Sequence, residues 1–269
     1  MGNTQEILEW YVDAGVDVML EEQPIDRFAE TAAAASAKSE NSKSTPKQRS
    51  LKRAPAPKPA AAQATIPDTE TINSAREIAQ KADSLDALRE LIESFDGCNL
   101  KRTAKTTVFA DGNPNAGLML IGEAPGRDED IQGLPFVGRA GQLLDRILQA
   151  INLDRNSVYI TNIINWRPPG NRTPTPQETE ICRPFIERHI ELANPELIVM
   201  LGGSSAKTLL KTNDGIMRLR GKWAEVATSG SRKEAMPTLH PAYLLRQPAH
   251  KKLVWQDFLK IKKKLDSKS

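Results

Sequence analysis

The hydrophobic residues of this chain form two alternating patterns, short continuous runs and longer stretches at helical spacing. The continuous runs are typical of buried strands and predict strands at Leu118–Ile121, Val158–Thr161, Leu197–Leu201 and a pair near Lys222–Val226 and Ala235–Leu239. The stretches between them place apolar residues three and four apart and predict helices at about 139–151, 176–193, 203–211 and 249–265. This alternation predicts an α/β fold, a three-layer α/β/α sandwich around a mostly parallel sheet.

A further helical pattern precedes the first strand. Ser84 is a suitable N-cap, and apolar residues at helical spacing follow it until Gly97. Upstream, residues 31–72 are rich in Ala, Pro and Lys, which predicts a disordered linker. Residues 1–30 are acidic, and residues 4–12 show the pattern of a short amphipathic helix. The compact domain is therefore expected to span residues 73–269.

Charge is unevenly distributed, although the formal net charge is only +3. Residues 1–30 hold eight acids and one base, residues 37–61 hold seven bases and one acid, and residues 246–269 hold eight bases and two acids. Basic runs permit contact with nucleic-acid phosphates, but solvated surface is their commoner meaning. The acidic segment at residues 1–30 docks on a protein partner or back on its own domain, or is an accessory extension without a specific partner.

Cysteine content and hydropathy limit the class of protein. Two cysteines, Cys98 and Cys182, are too few for a disulfide framework. The sequence shows no signal peptide and no apolar run approaching the roughly 20 residues that span a bilayer. We therefore expect a monomeric, cytoplasmic protein with no membrane segment.

Polar side chains follow three of the predicted strands. Glu123 comes shortly after the first strand, Asn162 ends the second, and His240 leaves the last. Taken singly, Glu123 suits a solvated turn acid and Asn162 a capping residue as well as they suit a functional site, and a lone His is more often structural than catalytic. Ligands of open α/β sheets bind outside the carboxyl ends of the strands, so the three side chains are expected to face one crevice.

Five segments of the chain occur in this order: Gly122-Glu-Ala-Pro-Gly, Pro135-Phe-Val-Gly-Arg-Ala-Gly-Gln-Leu-Leu, Ile160-Thr-Asn, Arg167-Pro-Pro-Gly-Asn-Arg and His240-Pro-Ala-Tyr-Leu-Leu-Arg. Together they resemble the motifs of the family 4 uracil-DNA glycosylases over roughly residues 95–265. The resemblance implies a uracil-DNA glycosylase-like domain acting in base excision repair. Such an enzyme flips deoxyuridine out of DNA and hydrolyses its N-glycosidic bond, which releases uracil and leaves an abasic site.

The resemblance also implies roles at the reacting base. Phe136 would stack on uracil, and Asn162 would read its amide edge. His240 would donate to a carbonyl oxygen as the base departs as an anion. Glu123 would stabilise the cationic sugar or orient the attacking water, and the sequence leaves both roles open. A plain core position is the alternative for Phe136.

Three further substrate contacts follow from the same resemblance. Glu129 would help to exclude the methyl group of thymine, and a solvated loop acid is the alternative. Gly122 and Ala124 complete the expected substrate contacts, with the glycine backbone allowing close approach to the ligand.

Basic and apolar side chains at matching positions imply contacts with DNA: Arg139, Arg167, Arg172, Leu244, Leu245 and Arg246. The leucines would fill the stack that the flipped base vacates, and the arginines would reach phosphates. The alternative is a first helical turn that buries its leucines, and we expect at least one of them to be buried.

Family 4 enzymes resemble one another in holding a [4Fe-4S] cluster through four cysteines. The matching positions here are Phe95, Cys98, Trp166 and Cys182, so two of the four ligands are absent. An ordinary cubane cluster needs four thiolates, and two bulky apolar side chains suit the volume it would occupy. We therefore predict that the protein holds no iron–sulfur cluster.

Two other function classes compete with this interpretation. Gly202-Gly-Ser-Ser-Ala-Lys-Thr suggests a phosphate-binding loop, but Ala206 stands where such a loop needs Gly before Lys. The segment is better explained as the start of a helix. A non-catalytic protein that binds damaged DNA on the same fold is the second competitor. It would not need Glu123, Phe136, Asn162 and His240 together.

Overall fold

Six strands form one sheet through the middle of the domain. In the computed structural model, which describes residues 69–268, their order across the sheet is β1-β3-β2-β4-β6-β5. The bounds are β1 (Ala110–Gly112), β2 (Leu118–Gly122), β3 (Tyr159–Asn162), β4 (Leu197–Leu201), β5 (Ala224–Ala227) and β6 (Arg232–Thr238). The four central strands are parallel, and β1 and β5 pair antiparallel at the two edges.

Nine α-helices lie along the described residues, connected to the strands and to one another by short loops. They are α1 (Thr69–Gln80), α2 (Leu85–Ser94), α3 (Arg127–Gln132), α4 (Arg139–Gln149), α5 (Pro176–Ala193), α6 (Gly203–Leu210), α7 (Ile216–Leu219), α8 (Pro241–Arg246) and α9 (Lys251–Asp266). None of these helices has both the length and the apolar character of a membrane span.

The sheet separates two apolar clusters, as the side-chain alternation of a strand requires. In β2, Met119 and Ile121 join one cluster, whereas Leu118 and Leu120 join the other. All five residues of β2 are buried, as are all five of β4, which explains their continuous hydrophobic runs. The predicted three-layer α/β sandwich with a mostly parallel sheet is confirmed.

Most predicted elements lie where the hydrophobic pattern placed them. The strand Leu197–Leu201 and the helix 176–193 match their observed bounds. Ser84 caps α2, since its side chain accepts a hydrogen bond from the Ala87 amide at 3.2 Å. Residues 203–210 form a helix, as predicted for the segment that resembles a phosphate-binding loop.

The N-terminal boundary and several short elements differ from the prediction. Helix α1 begins at Thr69, inside the predicted linker 31–72, because Ala75 and Ala79 are buried as the helix packs on α5. The overlap with the predicted linker is limited to residues 69–72, the mostly polar first turn of the helix, whereas Ala75 and Ala79 lie within the predicted domain. The elements β1, α3 and α7 span only three, six and four residues, which is too short to show a hydrophobic period. The predicted helix at residues 4–12 and the linker up to residue 68 lie outside the described residues.

Candidate active site at the strand ends

A cleft of about 430 Å³ opens at the carboxyl ends of β2, β3 and β6. Eight of the predicted site residues line it: Glu123, Ala124, Glu129, Phe136, Asn162, Arg172, His240 and Arg246. The expectation that the three strand ends face a common crevice is therefore confirmed by the geometry.

Gly122 lies beneath the cleft, at the last residue of β2. It pairs in register with Asn162 at the end of β3, so the two positions are neighbours across the parallel ladder. A Cβ atom added to Gly122 would lie 2.3 Å from Asn162 Oδ1 and 2.6 Å from Cζ of Phe136. Only glycine leaves room for both side chains, which gives this position a steric role rather than a polar contact.

Two buried side-chain acceptors have no hydrogen-bond partner among the described residues, Oε1 of Glu123 and Oδ1 of Asn162. Both residues line the cleft. An unpaired buried acceptor costs about 1–3 kcal/mol, so native proteins keep few of them. Two such atoms at one cleft indicate a site built for a ligand that donates hydrogen bonds.

The environment of Glu123 also affects its charge. Burial raises the pKa of the carboxyl above its usual range, and the Ser204 hydroxyl partly offsets this. A carboxylate held in a poorly solvated position interacts strongly with any positive charge that forms beside it. Glu123 is therefore suited to stabilise a cation or to accept a proton.

His240 is the N-cap of α8, and this role fixes its tautomer. Its Nδ1 accepts a hydrogen bond from the Ala242 amide at 3.1 Å, so the proton of the neutral ring lies on Nε2. Burial, with a smaller contribution from the charge of Arg246, lowers the pKa of His240 to about 4. The side chain is thus a neutral hydrogen-bond donor at neutral pH.

Phe136 is both a core residue and part of the wall of the cleft. It is buried among apolar residues that include Leu144 and Leu244, yet it also lines the cleft. Its ring centroid lies 5.5 Å from that of His240. The residue has a φ of +55°, a conformation that is unusual for an aromatic side chain and that aims the ring at the strand ends.

Glu129, in the first turn of α3, accepts hydrogen bonds from three backbone amides. Its Oε2 accepts from the Gly126 amide at 3.1 Å, and its Oε1 accepts from the Val137 and Gly138 amides at 3.0 Å each. It also lines the cleft. The side chain is therefore no solvated loop acid, and its charge ties the loop after β2 to the loop that carries Phe136. The exclusion of thymine by Glu129 stays a prediction.

The predicted DNA-contacting arginines differ in their surroundings. Arg172 forms a bidentate pair with Glu178 at 2.8 and 2.6 Å, and Arg167 donates to Asn171 at 2.7 Å. Arg246 lines the cleft and is exposed, whereas Arg139 is exposed at the start of α4 and does not line the cleft. Arg246 and Arg139 are therefore the more available for phosphate contact.

The two leucines after His240 differ in exposure. Leu244 is fully buried in the apolar cluster under α8, whereas Leu245 is 38% exposed. The predicted role of Leu244 in DNA contact is therefore wrong, because its side chain belongs to the core. The alternative noted from the sequence, a helical turn that buries one leucine, is what the structure shows.

Two residues near the cleft carry roles that the sequence did not reveal. Tyr243 lines the cleft, and its hydroxyl group lies 2.8 Å from Nδ1 of His250. Arg155 contacts the backbone of the Phe136 loop from outside the cleft. Tyr243 lies within a motif already noted, whereas no sequence pattern marks Arg155.

The four positions that match cluster ligands lie together in the core on the other side of the sheet. Phe95, Cys98, Trp166 and Cys182 are all buried in one apolar cluster. The two sulfur atoms are 4.0 Å apart, Phe95 packs edge-on against Phe185 at 5.0 Å, and Trp166 donates to Thr107 at 3.1 Å. Within residues 69–268, no group of three or more potential metal ligands comes together. Two thiols and two packed rings do not fit a four-thiolate cluster.

Comparison with known proteins agrees with this geometry. Residues 109–259 match the family model described as the uracil DNA glycosylase superfamily. The chain is 40% identical over 191 residues to a type-4 uracil-DNA glycosylase of Saccharolobus solfataricus, which covers 69% of this chain and 88% of the relative. A type-4 enzyme of Archaeoglobus fulgidus is 41% identical over 183 residues, or 66% of this chain and 92% of the relative. A type-4 enzyme of Thermotoga maritima is 36% identical over 181 residues, which cover 66% of this chain and 93% of the relative. The chain therefore belongs to the type-4 uracil-DNA glycosylases within the uracil DNA glycosylase superfamily.

Proposed function

We propose that this protein removes uracil from DNA by hydrolysing the N-glycosidic bond of a flipped deoxyuridine, which leaves an abasic site for base excision repair. The observation that carries the proposal is the cleft in which two unpaired acceptors, on Glu123 and Asn162, lie with the neutral donor His240. Base flipping brings the target into such a cleft at a cost of a few kcal/mol.

Recognition of the base rests on Asn162 and Phe136. Uracil carries an N–H at N3 between two carbonyl oxygens, so the free Oδ1 of Asn162 can accept from N3–H while its amide nitrogen donates to a carbonyl oxygen. Cytosine has an unprotonated N3, which would leave the Oδ1 acceptor facing another acceptor. Phe136 supplies the apolar face against which the ring stacks.

The bond to the base breaks with its electron pair moving onto uracil. The Nε2–H of His240 donates to a carbonyl oxygen as negative charge develops there, and no proton has to move to make the side chain a donor. Glu123 faces the positive charge that forms on the sugar. Water then adds to the sugar carbon and loses a proton to Glu123, whose Oε1 has no hydrogen-bond partner among the described residues. Its raised pKa suits that step.

Specificity and DNA binding are assigned to the residues around the cleft. Glu129 would exclude the methyl group of thymine, and the backbone of Ala124 would contact the base. Of the two leucines, Leu245 is left as the apolar side chain that fills the vacated stack. Arginines would grip the phosphates: Arg139, Arg167, Arg172 and Arg246.

The enzyme is proposed to work without an iron–sulfur cluster, because the buried rings of Phe95 and Trp166 occupy two of the four ligand positions. Iron and acid-labile sulfide should be absent from protein purified without oxygen. About four of each per chain, the content of one cubane, would overturn this. The cytoplasmic location, the monomeric state and a protein partner for residues 1–30 stay predictions.

The test is incubation with an oligonucleotide that contains one uracil, followed by alkali, which cleaves DNA at abasic sites. Strand cleavage at uracil that disappears in Asn162→Ala and His240→Ala variants supports the proposal. Unchanged thermal unfolding of both variants serves as the folding control. Tight binding of the same oligonucleotide without cleavage would instead identify a protein that only binds damaged DNA.

A further inference from the structure

The conformation of Phe136 needs support from the surrounding structure. Its φ of +55° places an aromatic residue in the left-handed region, which costs free energy for any side chain with a Cβ. Gly141 makes room for this turn, because a Cβ atom there would lie only 1.6 Å from the Phe136 carbonyl oxygen. Contacts that hold the loop must therefore offset a local strain.

Arg155 supplies those contacts on the side of the loop that faces away from the cleft. Its Nη1 donates to the Pro135 carbonyl oxygen at 3.2 Å, and its Nη2 donates to the Phe136 carbonyl oxygen. The guanidinium is itself fixed by two carboxylates, Asp111 at 2.5 Å and Asp145 at 2.8 Å. One side chain thus joins β1, α4 and the Phe136 loop.

The peptide group between Phe136 and Val137 is held on both edges. Its carbonyl oxygen accepts from Arg155, and its N–H donates to Glu129 at 3.0 Å. A peptide group is planar, so two opposed hydrogen bonds fix its orientation and with it the ψ angle of Phe136. That angle fixes the direction in which the Cα–Cβ bond of Phe136 leaves the backbone, and so limits where its ring can lie.

We propose that Arg155 is a positioning residue for uracil excision, which acts by holding Phe136 in the conformation that stacks on the base. The proposal rests on the proposed function. Arg155 does not line the cleft and touches no reacting atom; its effect passes through the Phe136 backbone. The two carboxylates orient the guanidinium so that two of its N–H groups remain for the loop carbonyls.

The test compares Arg155→Gln and Arg155→Lys with the same changes at Arg188. Arg188 is a matched control, because its side chain is 28% exposed against 24% for Arg155 and also pairs with a carboxylate, Glu191. It donates twice to a backbone carbonyl, that of Ala82, at 3.0 and 2.6 Å. It does not line the cleft. Both pairs of variants are scored for thermal unfolding, single-turnover uracil release and inhibition by free uracil.

Arg155→Gln is expected to slow uracil release by between about 10-fold and 100-fold, the scale of a displacement near 1 Å at an active site. Inhibition by free uracil should weaken in parallel, since the same stacking is lost. Arg155→Lys should recover part of the rate and part of the inhibition by uracil, because it keeps the charge and one donor nitrogen. The Arg188 variants should keep rate and inhibition within twofold of the wild type, whatever stability they lose.

A double variant separates positioning from general destabilisation. If Arg155 acts through Phe136, then Arg155→Gln adds no more than about twofold to the rate loss of Phe136→Ala. The proposal is overturned if the rate losses of Arg155→Gln and Phe136→Ala multiply in the double variant. It is also overturned if the Arg155 variants release uracil as fast as the Arg188 variants. Both outcomes leave the proposed function intact. If Arg155→Gln does not fold, the same comparison is made with Arg155→Lys. A wild-type chain that releases no uracil would overturn the proposed function itself.

Discussion

Replacement of Gly122 with alanine tests the geometry of the cleft without removing any functional group. The added Cβ would lie 2.3 Å from Asn162 Oδ1 and 2.6 Å from Cζ of Phe136. Contacts below 3.4 Å are tighter than most real Cβ contacts, so the amide must recede by about 1.1 Å and the ring by about 0.8 Å. Asn162 and Phe136 are the two residues assigned to the base, and both would be displaced from it.

A displacement of this size has a predictable effect on catalysis. A misplacement of 1 Å costs up to about 100-fold in rate, or about 2.7 kcal/mol of transition-state stabilisation. We expect Gly122→Ala to slow single-turnover uracil release by between about 10-fold and 100-fold. The free energy of unfolding should fall by less than this loss of transition-state stabilisation, because the cleft can open towards solvent to admit one methyl group.

The matched control is Gly117→Ala, just before the other end of β2. A Cβ atom there would meet nothing nearer than 3.6 Å, from the Glu196 side chain. This variant should release uracil at the wild-type rate. If Gly122→Ala were as active as Gly117→Ala, with both variants folded, the assignment of Asn162 and Phe136 to the base would be refuted.

Three further predictions follow from individual contacts. The pKa of His240 is lowered to about 4, so on acidification the unfolded chain binds its proton first and stability is lost as pH falls below about 6.5. The free energy of unfolding in urea should drop by about 1–2 kcal/mol between pH 7 and pH 5 on account of this group, and a His240→Asn variant should lack that part of the slope. Leu244→Ala should lose about 2–5 kcal/mol of stability because the side chain is fully buried. Leu245→Ala should stay within about 0.5 kcal/mol yet excise uracil from duplex more slowly, and equal unfolding temperatures for the two would contradict this. Glu129→Ala, which strips three backbone N–H groups of their acceptor, should lower uracil release about 10-fold. Glu129→Gln should lower it less, and a Glu129→Ala variant with no loss on uracil and no gain on thymine would disprove both roles of this side chain.

Much of the fold could be predicted because it depends on which residues avoid water. The continuous runs in β2 and β4 and the helical spacing in α5 are direct consequences of burial, and the structure reproduces them closely. Helix α1 escaped prediction because its buried residues are alanines, which are as common in linkers as in tightly packed helices. Strand β1 escaped because three residues are too few to show a period.

The candidate site could be predicted in part for a geometric reason. Residues at the carboxyl ends of neighbouring parallel strands must meet at one edge of the sheet, so Glu123, Asn162 and His240 were expected to converge. The same reasoning has no means of telling Leu244 from Leu245. The side that each leucine faces depends on how α8 rotates against the apolar cluster below it.

The sequence by itself determined the order of the main strands and helices and the chemical groups at the strand ends, because buried strands and helices repeat their hydrophobic residues with a characteristic period. Tertiary structure alone decided the register that sets Gly122 beside Asn162 and the left-handed turn at Phe136. It also decided the hydrogen bond from Arg155 to the Phe136 carbonyl oxygen. The register and the Arg155 contact join residues far apart in the chain through backbone atoms. A backbone carbonyl oxygen is present in every residue type, so residue type alone does not tell which carbonyl Arg155 will bind.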